Sequence, residues 1–379
     1  MPAPRILHIF PGFAVGGAQV RTARLVEGLG GAFEHALVSL DGDRAGYGLL
    51  AAARSLEWVE PPPRAGSFTT ARALAQLIRA RRPDVVATYN WGAIDGVIGA
   101  RLAGRRACVH HEDGFGPQET RRRLVRRNLW RAAWLRDTAS VVVPSQVLER
   151  IARREWHMPA GLVHLVPNGV DLTRFAPGAA RREGERVRAE LGLGRDVFVL
   201  VSVGGLRPEK RPDRLLEVAA LLPGVHTFVV GDGALRADLE RRAARADLAG
   251  RVHFFGACAD PRPQLAAADL FVLPSDTEQM PIAMVEAMAL GLPVAATDVG
   301  DVRVILPSDQ HGGIVPLAGD ADTAAALARV ALEFARDPAR RRAFGARAAE
   351  RAADAFGFDR MARRYAELYT AAAARDRRS

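Results

Sequence analysis

The chain has 379 residues, and its 53 Lys and Arg against 43 Asp and Glu give a net charge of +10. With 49% apolar and 25% charged residues, the composition is that of an ordinary globular protein of two or three domains, which excludes a disordered, collagen-like or coiled-coil chain. Two cysteines exclude a disulfide framework, no run of 18 apolar residues predicts a membrane-spanning helix, and the N-terminal MPAPRILHIFPGF lacks the layout of a signal peptide, so we expect a cytoplasmic protein.

Short apolar runs alternate with longer helical patterns along the chain. After RILHIF, for example, a glycine loop leads into a helix near residues 18–29. The predicted strands of the first half are 5–10, 35–40, 83–89, 106–110 and 140–145. The rhythm then restarts with strands at 196–204, 226–233, 251–256, 270–275 and 292–298. This order of strand and helix predicts two parallel sheets covered by helices.

We therefore expect an α/β protein of two doubly wound domains that face a central cleft. The first would cover residues 1–175, with a linker rich in Gly, Pro, Arg and Glu to about 195, and the second 176–355. Residues 356–379 would form a C-terminal helix that packs back on the first domain. Such folds bind ligands at the carboxyl ends of their strands, where helix N-termini and glycine loops favour phosphate. A nucleotide-type ligand is predicted.

The most informative segment is Ser275–Asp301, SDTEQMPIAMVEAMALGLPVAATDVGD. Pro281 suits the first turn of a helix, and Gly291 suits the position just after its end. Glu278 then lies immediately before the helix, and Glu286 lies within it among apolar residues. A carboxylate in such surroundings is costly unless it is paired or bound to a ligand, so Glu286 is either a structural ion-pair partner or a binding residue.

The spacing E-x7-E followed by A-M-A-x-G-x-P-V-x-A-T-D-x-G resembles the signature of the retaining glycosyltransferases of the GT4 family, which have the GT-B fold of two Rossmann-like domains. The resemblance implies that Glu278 acts near the sugar hydroxyls and that Glu286 binds the nucleotide ribose. It also sets the backbone at the helix start against the sugar and diphosphate; these residues are Gln279, Met280, Pro281 and Ile282. The chain has Gln279 where the family commonly has Gly, and Asp301 where a second Gly is usual.

A second block, VSVGGLRPEKRPDRLLE (201–217), resembles the family's strand, loop and helix with G-R-L-x-x-E-K-G. Lys210 matches the phosphate-binding lysine. The family's Arg position is Gly205 here, and Arg207 follows two residues later as a candidate replacement. Two fixed cations in a cleft poor in water would stabilise the negative charge of a departing nucleoside diphosphate. The alternative for Lys210 is a solvated surface lysine.

Three further blocks resemble the family. VPNGVDLTRF (166–175) matches the segment between the domains and assigns Asn168 to the donor site. VVGDGALRADLE (229–240) matches G-x-G-x-x-R-x-x-L, and RVHFFG (251–256) precedes the loop that commonly meets the base.

In the first half, FPGFAVGGAQ (10–19) lacks G-x-G-x-x-G, which argues against a plain dinucleotide site. Gly16 and Gly17 precede a predicted helix and match the family's glycine pair, whose amides would face the donor phosphates or the acceptor. The alternative is a tight turn that requires glycine.

The segment VHHEDGFG (109–116) occupies the place where the family often has T-x-H-G. Aligning Gly114 puts Asp113 on the family's His, whereas a shift of register puts His111 or His110 there. The resemblance implies that this cluster approaches the donor sugar and the acceptor, and the choice among the three residues stays open. A structural role is the alternative.

Two other features of the sequence bear on metal binding and on membrane association. Asp41-Gly42-Asp43 has the form of a metal motif from a different glycosyltransferase fold, but its place after an early strand predicts a turn. No Cys and His spacing suggests zinc, so we expect catalysis without a metal or cofactor. The Arg-rich segment 118–137 contains Val125, Leu129, Trp130 and Trp134; it either rests on an anionic lipid surface or is a packed helix with a solvated Arg face.

The sequence therefore predicts retaining transfer of a sugar from a nucleoside diphosphate sugar to an acceptor hydroxyl. The acceptor would be a saccharide or lipid-linked, in polysaccharide or glycolipid assembly at the inner face of the plasma membrane. One rival is another GT-B enzyme, such as a nucleotide-sugar epimerase. The other is a basic protein that binds nucleic acid, which would leave Glu278 and Glu286 unexplained, so we expect no nucleic-acid partner.

Overall fold

The computed structural model describes residues 3–14, 16–50, 56–115, 119 and 124–376. The chain divides into two compact units. The first contains the described residues up to Gly169 and from Asp359 onward, and the second contains Val170–Phe358. The first unit thus ends before the predicted boundary at 175.

The first unit is built on seven parallel strands in the order β3-β2-β1-β4-β5-β6-β7. The order reverses between β1 and β4, which is the switch point where doubly wound sheets bind ligands. Its strands are β1 (Arg5–Phe10), β2 (Glu34–Ser39), β3 (Leu56–Trp58), β4 (Val85–Tyr89), β5 (Cys108–His111), β6 (Ser140–Val143) and β7 (Val163–Leu165). Its helices are α1 (Gly17–Leu29), α2 (Ser67–Arg81), α3 (Ile94–Leu102), α4 (Val125–Trp134) and α5 (Gln146–Arg154).

The second unit repeats this arrangement with six parallel strands in the order β10-β9-β8-β11-β12-β13, and its switch point lies between β8 and β11. Its strands are β8 (Val199–Val203), β9 (His226–Val230), β10 (Val252–Gly256), β11 (Leu270–Leu273), β12 (Val294–Thr297) and β13 (Ile314–Val315). Its helices are α6 (Arg181–Glu190), α7 (Pro212–Ala220), α8 (Arg236–Ala243), α9 (Arg262–Ala266), α10 (Ile282–Ala289), α11 (Val302–Ile305), α12 (Asp320–Arg336) and α13 (Pro338–Ala355). The last helix is α14 (Phe358–Asp376).

Every strand predicted from the sequence is present. The strands that were not predicted, β3, β7 and β13, are short and lie at sheet edges. Two or three residues carry no readable alternation, so their pattern could not reveal them. Among the described residues, no helix combines the length and the apolar character needed to cross a membrane.

Helix α6 corrects the predicted linker up to residue 195, because it belongs to the second unit. Only Gly184 and Val187 are buried on it, and its remaining surface carries ion pairs between residues four apart. Gly184 packs against α9 so closely that a Cβ there would lie 2.7 Å from the carbonyl carbon of Ala266. A helix that buries only a glycine and one valine leaves almost no apolar period in the sequence, which is why composition suggested a linker.

An aromatic stack forms part of the core of the first unit and includes α14. The ring of Tyr89 lies 3.8 Å from that of Phe10 and 4.4 Å from that of His111, and His111 stacks in turn on Tyr365 of α14 at 5.7 Å. A second α14 tyrosine, Tyr369, places its hydroxyl 3.2 Å from His111 Nε2. The C-terminal helix therefore supplies core side chains to the first unit.

Three histidines of this unit are buried in one hydrogen-bonded group. His8 Nδ1 lies 2.8 Å from the Tyr89 hydroxyl, and His8 Nε2 lies 3.0 Å from His35 Nδ1. Burial lowers the pKa of His8 and of His111 well below 6.5, and it lowers the pKa of His35 to about 4. All three rings are therefore neutral in the folded protein at neutral pH.

The packing of α6 makes the substitution Gly184→Ala a test of its place in the second unit. Replacing a helical glycine by alanine ordinarily gains about 1 kcal/mol of helix propensity. Here the added methyl meets backbone atoms that cannot rotate away, and overpacking of this kind costs about 1–3 kcal/mol. We expect a net loss of stability of about 1 kcal/mol in chemical denaturation. In Gly161→Ala, the control, the methyl meets no atom and stability should not fall.

The buried histidines predict that acid destabilises the fold. Below about pH 6.5 the unfolded chain takes up protons that the folded chain does not, so the free energy of unfolding falls with pH through the range down to about 4. We expect the melting temperature at pH 5 to lie about 4 °C or more below that at pH 7.5. His35→Gln should reduce this dependence, and a variant of the exposed His157, His157→Gln, should keep it. Equal dependence in all three proteins would contradict this account.

Candidate functional site

Two side chains predicted from separate motifs meet in the second unit. Lys210 ends a short helical turn after β8, and Glu278 lies in the loop after β11. Because these strands are neighbours at the switch point, their carboxyl ends place both loops side by side. The Lys210 ammonium lies 2.6 and 2.7 Å from the two carboxylate oxygens of Glu278.

A short chain of hydrogen bonds fixes the Glu278 carboxylate. Ser275 Oγ donates to Glu278 Oε1 at 3.0 Å, and Thr297 Oγ1 donates to the Ser275 carbonyl at 2.6 Å. The Glu278 side chain is 8% exposed and that of Lys210 is 26% exposed. The ammonium is thus the partner that a ligand can reach more easily.

A pocket lies beside this ion pair at the carboxyl ends of β8, β9 and β11. Its lining includes Gly204, Gly205, Leu206, Lys210, Ser275 and Glu278. Gly231 and Gly233, the glycines of the G-x-G block, have positive φ and press against the carbonyl groups of Gly204 and Leu206. Since any side chain at these two positions would strike backbone, the glycines let the loops close around the pocket.

Arg207, the candidate replacement for the family's arginine, lies next to Gly205. Its Nε is 3.3 Å from where a Gly205 Cβ would stand, so the guanidinium lies near the position predicted from the motif. The side chain is 57% exposed, and its Nε lies 3.2 Å from Glu209. It does not contribute to the pocket lining in the described chain, whereas Lys210 does.

Helix α10 begins one residue later than predicted, with Pro281 as the residue that precedes its first turn. Glu286 is buried within it, among Met284, Val285 and Met288, and lies outside the pocket lining. Met280 is buried, and Ile282 starts the helix.

The departure at Asp301 has a structural explanation. Gly300 has a φ of +54° and abuts the carbonyl oxygens of Glu278 and Gln279, so this position requires glycine. Asp301 has a φ of −93°, which any residue adopts, and its N–H donates to the Gln279 carbonyl at 3.0 Å. The loop that carries Glu278 is thus held without a second glycine.

In the first unit, Gly16 precedes α1 as predicted, whereas Gly17 is the first residue of the helix, which begins one residue earlier than predicted. The Gln19 side chain donates to the Gly12 carbonyl at 3.0 Å and stabilises the loop between β1 and α1. The first N–H groups of a helix have no partner within it, so the start of α1 can accept an anionic ligand.

Arg21 was missed by the sequence analysis. It is buried in α1, and its guanidinium binds both carboxylate oxygens of Asp113, with Nη2 2.9 Å from Oδ2. It also donates to Asn168 Oδ1 at 3.3 Å, and Asn90 Oδ1 accepts the Asp113 N–H at 2.7 Å. Two predicted site residues, Asp113 and Asn168, are therefore joined by an arginine that no motif marked.

The three candidates of the 109–116 segment differ in access. His111 Nδ1 donates to the Thr88 carbonyl at 3.0 Å, and its Nε2 accepts from the Tyr369 hydroxyl, so both ring nitrogens are occupied. His110 is fully buried, with Nδ1 2.8 Å from Thr88 Oγ1. Asp113 alone of the three has a partly exposed side chain. The structure places the histidines beneath the surface and Asp113 where a ligand can reach it.

The turn predicted at Asp41-Gly42-Asp43 is confirmed. Gly42 N–H donates to the Ser39 carbonyl at 3.1 Å, Gly42 has a φ of +76°, and Asp41 Oδ1 accepts the Asp43 N–H at 2.9 Å. In the described part of the chain, no group of three or more His, Cys, Asp or Glu side chains is arranged to hold a metal ion.

The basic segment 118–137 is only partly described, and Arg121 and Arg122 lie outside the described residues. Arg131 of this segment is buried and does not belong to a solvated arginine face. Its Nε lies 2.9 Å from Glu112, its Nη1 lies 3.3 Å from Glu119, and its guanidinium stacks over Trp156. The polar side of α4 therefore faces inward.

Known protein families match both units. The profile described as Glycosyltransferase Family 4 matches residues 15–174, and that described as Glycosyl transferases group 1 matches 184–351. The chain is 32% identical over 258 residues, 65% of each chain, to UDP-Gal:alpha-D-GlcNAc-diphosphoundecaprenol alpha-1,3-galactosyltransferase of Escherichia coli. It is 36% identical over 229 residues, 55% of its own length and 52% of the relative's, to D-inositol 3-phosphate glycosyltransferase of Thermomonospora curvata. The matches thus span less than two thirds of these relatives.

A solved structure shares the fold over nearly the whole chain. Anabaena HepE in complex with UDP-glucose superposes with a TM-score of 0.82 at 22% identity, covering 96% of this chain and 98% of that one. At that identity the likeness shows the fold, which is GT-B, with a Rossmann-like sheet in each unit. Since the two profiles together account for most of the chain and the predicted site residues fall within them, the chain belongs to the GT4 family of GT-B glycosyltransferases.

Proposed function

We propose that the protein transfers a sugar from a nucleoside diphosphate sugar to an acceptor hydroxyl, with retention at the anomeric carbon. The observation that carries this proposal is the contact of Lys210 with Glu278 beside a glycine-lined pocket. An ammonium stabilises the charge that develops on a departing diphosphate, and a fixed carboxylate accepts hydrogen bonds from sugar hydroxyls.

The remaining donor contacts follow from the same chemistry. The buried Glu286 would bind the ribose, since a carboxylate can accept from two neighbouring hydroxyls. The start of α10 would offer backbone N–H groups to the diphosphate. The leaving phosphate would accept the proton of the attacking hydroxyl on the same face of the sugar, and no metal is required by this scheme. In the first unit, Asp113 would contact the acceptor.

The comparisons support the donor and acceptor classes. The Escherichia coli relative is named for a UDP-Gal donor and a diphosphoundecaprenol-linked acceptor, and the Anabaena structure contains UDP-glucose. We therefore infer a UDP sugar as the first donor to test, and a saccharide or lipid-linked acceptor in polysaccharide or glycolipid assembly. An epimerase would instead interconvert the free nucleotide sugar without any acceptor.

An exposed apolar patch supports association of the protein with a membrane surface. Val125 and Leu129 of α4 are 68% and 65% exposed, and Phe68 of α2 is 62% exposed and lies against Trp130. The exposed Arg126 lies beside them on α4. We propose that this patch, Phe68, Val125, Leu129 and Trp130, rests on an anionic lipid surface at the inner face of the plasma membrane, where each nearby cation contributes about 1 kcal/mol.

The donor site predicts selective stabilisation by one nucleotide family. A ligand that binds only the folded state raises the melting temperature with the logarithm of its concentration, so UDP, GDP, ADP and their sugars can be compared directly. In Lys210→Ala we expect diphosphate affinity to fall about tenfold or more, because a charge-assisted hydrogen bond is lost. Glu286→Ala should weaken binding of the nucleoside part as well.

The control for these variants is Arg241→Ala, which removes an exposed cation of α8. It should bind nucleotide like the parent. If every nucleotide leaves the melting temperature of the parent unchanged, or if Lys210→Ala binds as well as the parent, the donor-site assignment is refuted. Conversion of the sugar nucleotide in the absence of any acceptor would favour the epimerase.

The patch predicts binding to anionic vesicles. We expect the protein to sediment with phosphatidylcholine vesicles that contain phosphatidylglycerol, less so as salt is raised, and weakly with phosphatidylcholine alone. Leu129→Glu should reduce binding to the vesicles about tenfold or more, because the leucine side chain can no longer be buried in the lipid. Leu221→Glu, at a leucine of the second unit that is also more than half exposed, is the matched control and should bind like the parent. Equal loss in both variants, or no binding at all, would contradict the proposal.

A further inference from the structure

Arg211 adopts a backbone conformation that the motif around it reserves for glycine. The family pattern G-R-L-x-x-E-K-G ends on Gly, and this chain has Arg211 there, immediately after Lys210. Arg211 has φ and ψ of 50°, in the left-handed region. A residue with a Cβ is strained in this region and stays there only where its surroundings hold it. The contacts of the Arg211 side chain stabilise it in this conformation.

The Arg211 guanidinium binds three carboxylates from different parts of the second unit. It lies 2.9 Å from Asp213 at the start of α7, 3.3 Å from Asp276 in the loop after β11, and 2.7 Å from Asp320 at the start of α12. A planar guanidinium can hold several carboxylates in fixed geometry, so Arg211 ties the starts of two helices to the loop after β11.

A buried arginine completes this carboxylate cluster. Arg214 donates to the Pro274 carbonyl at 2.6 Å and lies 2.8 Å from Asp276 and 3.0 Å from Asp320. Its side chain is 1% exposed, so it forms the interior anchor, while Arg211 forms the outer one. Both arginines are committed to carboxylates, Arg214 binds a backbone carbonyl as well, and neither arginine lines the pocket.

The cluster joins the two loops that carry the donor-site ion pair. Arg211 is adjacent to Lys210, and Asp276 lies two residues before Glu278. The Asp276 N–H also donates to the Glu209 carbonyl at 3.0 Å, so the loops are linked through backbone as well as side chains. Whatever shifts Arg211 or Asp276 must therefore shift one partner of the Lys210 and Glu278 contact.

We propose that Arg211 is a positioning residue of the donor site, which fixes Lys210 relative to Glu278 by binding Asp276 and Asp320. This inference rests on the proposed function, because Lys210 is the group assigned to the diphosphate. Glycine would take the same backbone conformation without strain but could not tie the loops together. Arg211 thus accepts a strained backbone conformation, and its side-chain contacts fix the position of the Lys210 ammonium.

The sequence offers a direct probe of this role, because Lys210 is the sole lysine in the 379 residues. Reductive methylation with ¹³C-formaldehyde labels this side chain and the terminal amine, and Lys210→Arg identifies the lysine signal. The variants are Arg211→Gly, which keeps the backbone conformation accessible, and Asp320→Asn, at an exposed site that touches neither Lys210 nor Glu278. Asp309→Asn, which weakens an exposed pair with Arg347, is the matched control.

We expect Arg211→Gly and Asp320→Asn to move the lysine signal and to weaken binding of UDP about tenfold, with binding of uridine unchanged. The double variant should lose little more than Arg211→Gly alone, because the contact between Arg211 and Asp320 is already broken and only that of Asp320 with Arg214 remains to be lost. Asp309→Asn should behave like the parent in every measurement.

The outcomes separate this proposal from the one on which it rests. If Lys210→Ala weakens UDP binding but Arg211→Gly and Asp320→Asn leave both the lysine signal and the affinity for UDP unchanged, the positioning role is overturned and the donor site stands. A lower melting temperature with an unmoved lysine signal and equal losses for UDP and uridine would show a purely structural role, which also overturns it. If Lys210→Ala itself binds UDP like the parent, the proposed function fails first.

Discussion

The contact between the Lys210 ammonium and the Glu278 carboxylate is the interaction around which the proposed donor site is built. It exists because β8 and β11 are neighbours at the switch point, although their loops are far apart in sequence. Each charge offsets the cost of holding the other in a partly buried place. Under the proposed function, a diphosphate that takes the ammonium leaves the carboxylate without its cation, and the sugar hydroxyls supply its hydrogen bonds. A complete donor therefore satisfies both groups, whereas a bare diphosphate satisfies one.

The two sheets share one strand order but differ at their carboxyl edges. In the second unit, glycine loops leave a pocket and bring backbone close to it. In the first unit, the equivalent edge is filled by Arg21, by the neutral His111 and by tyrosines of α14. Parallel strands with helices on both faces are buried on both sides, so successive residues such as His110 and His111 both point into protein. The same fold thus presents a ligand pocket in one unit and a rigid support for Asp113 in the other.

What the sequence could predict depends on how much of a residue's role is local. Strands, glycine loops and helix starts follow from short patterns, so the motifs that contain Glu278 and Lys210 could mark these residues as candidates. Arg21 and Arg211 were missed because their partners lie far along the chain, and one arginine among many carries no pattern. The access of His111 could not be read from a motif, since it depends on α14. Helix α6 was missed because its packing rests on the absence of a side chain at Gly184.

Helix α4 is inverted relative to an ordinary surface helix, and the ion pairs beneath it explain how that is stable. A buried guanidinium is costly unless charges and hydrogen bonds satisfy it, and Arg131 has Glu112, Glu119 and an aromatic ring to do so. With the polar side anchored inward, the apolar Val125 and Leu129 are left facing out. If α4 could rotate, these apolar side chains would turn inward and the charged ones outward. The ion pairs of Arg131 prevent this because they fix the orientation of the helix. Under the proposed function, the arrangement would present apolar side chains to a lipid surface without requiring the unit to open, as an enzyme acting on lipid-linked acceptors needs.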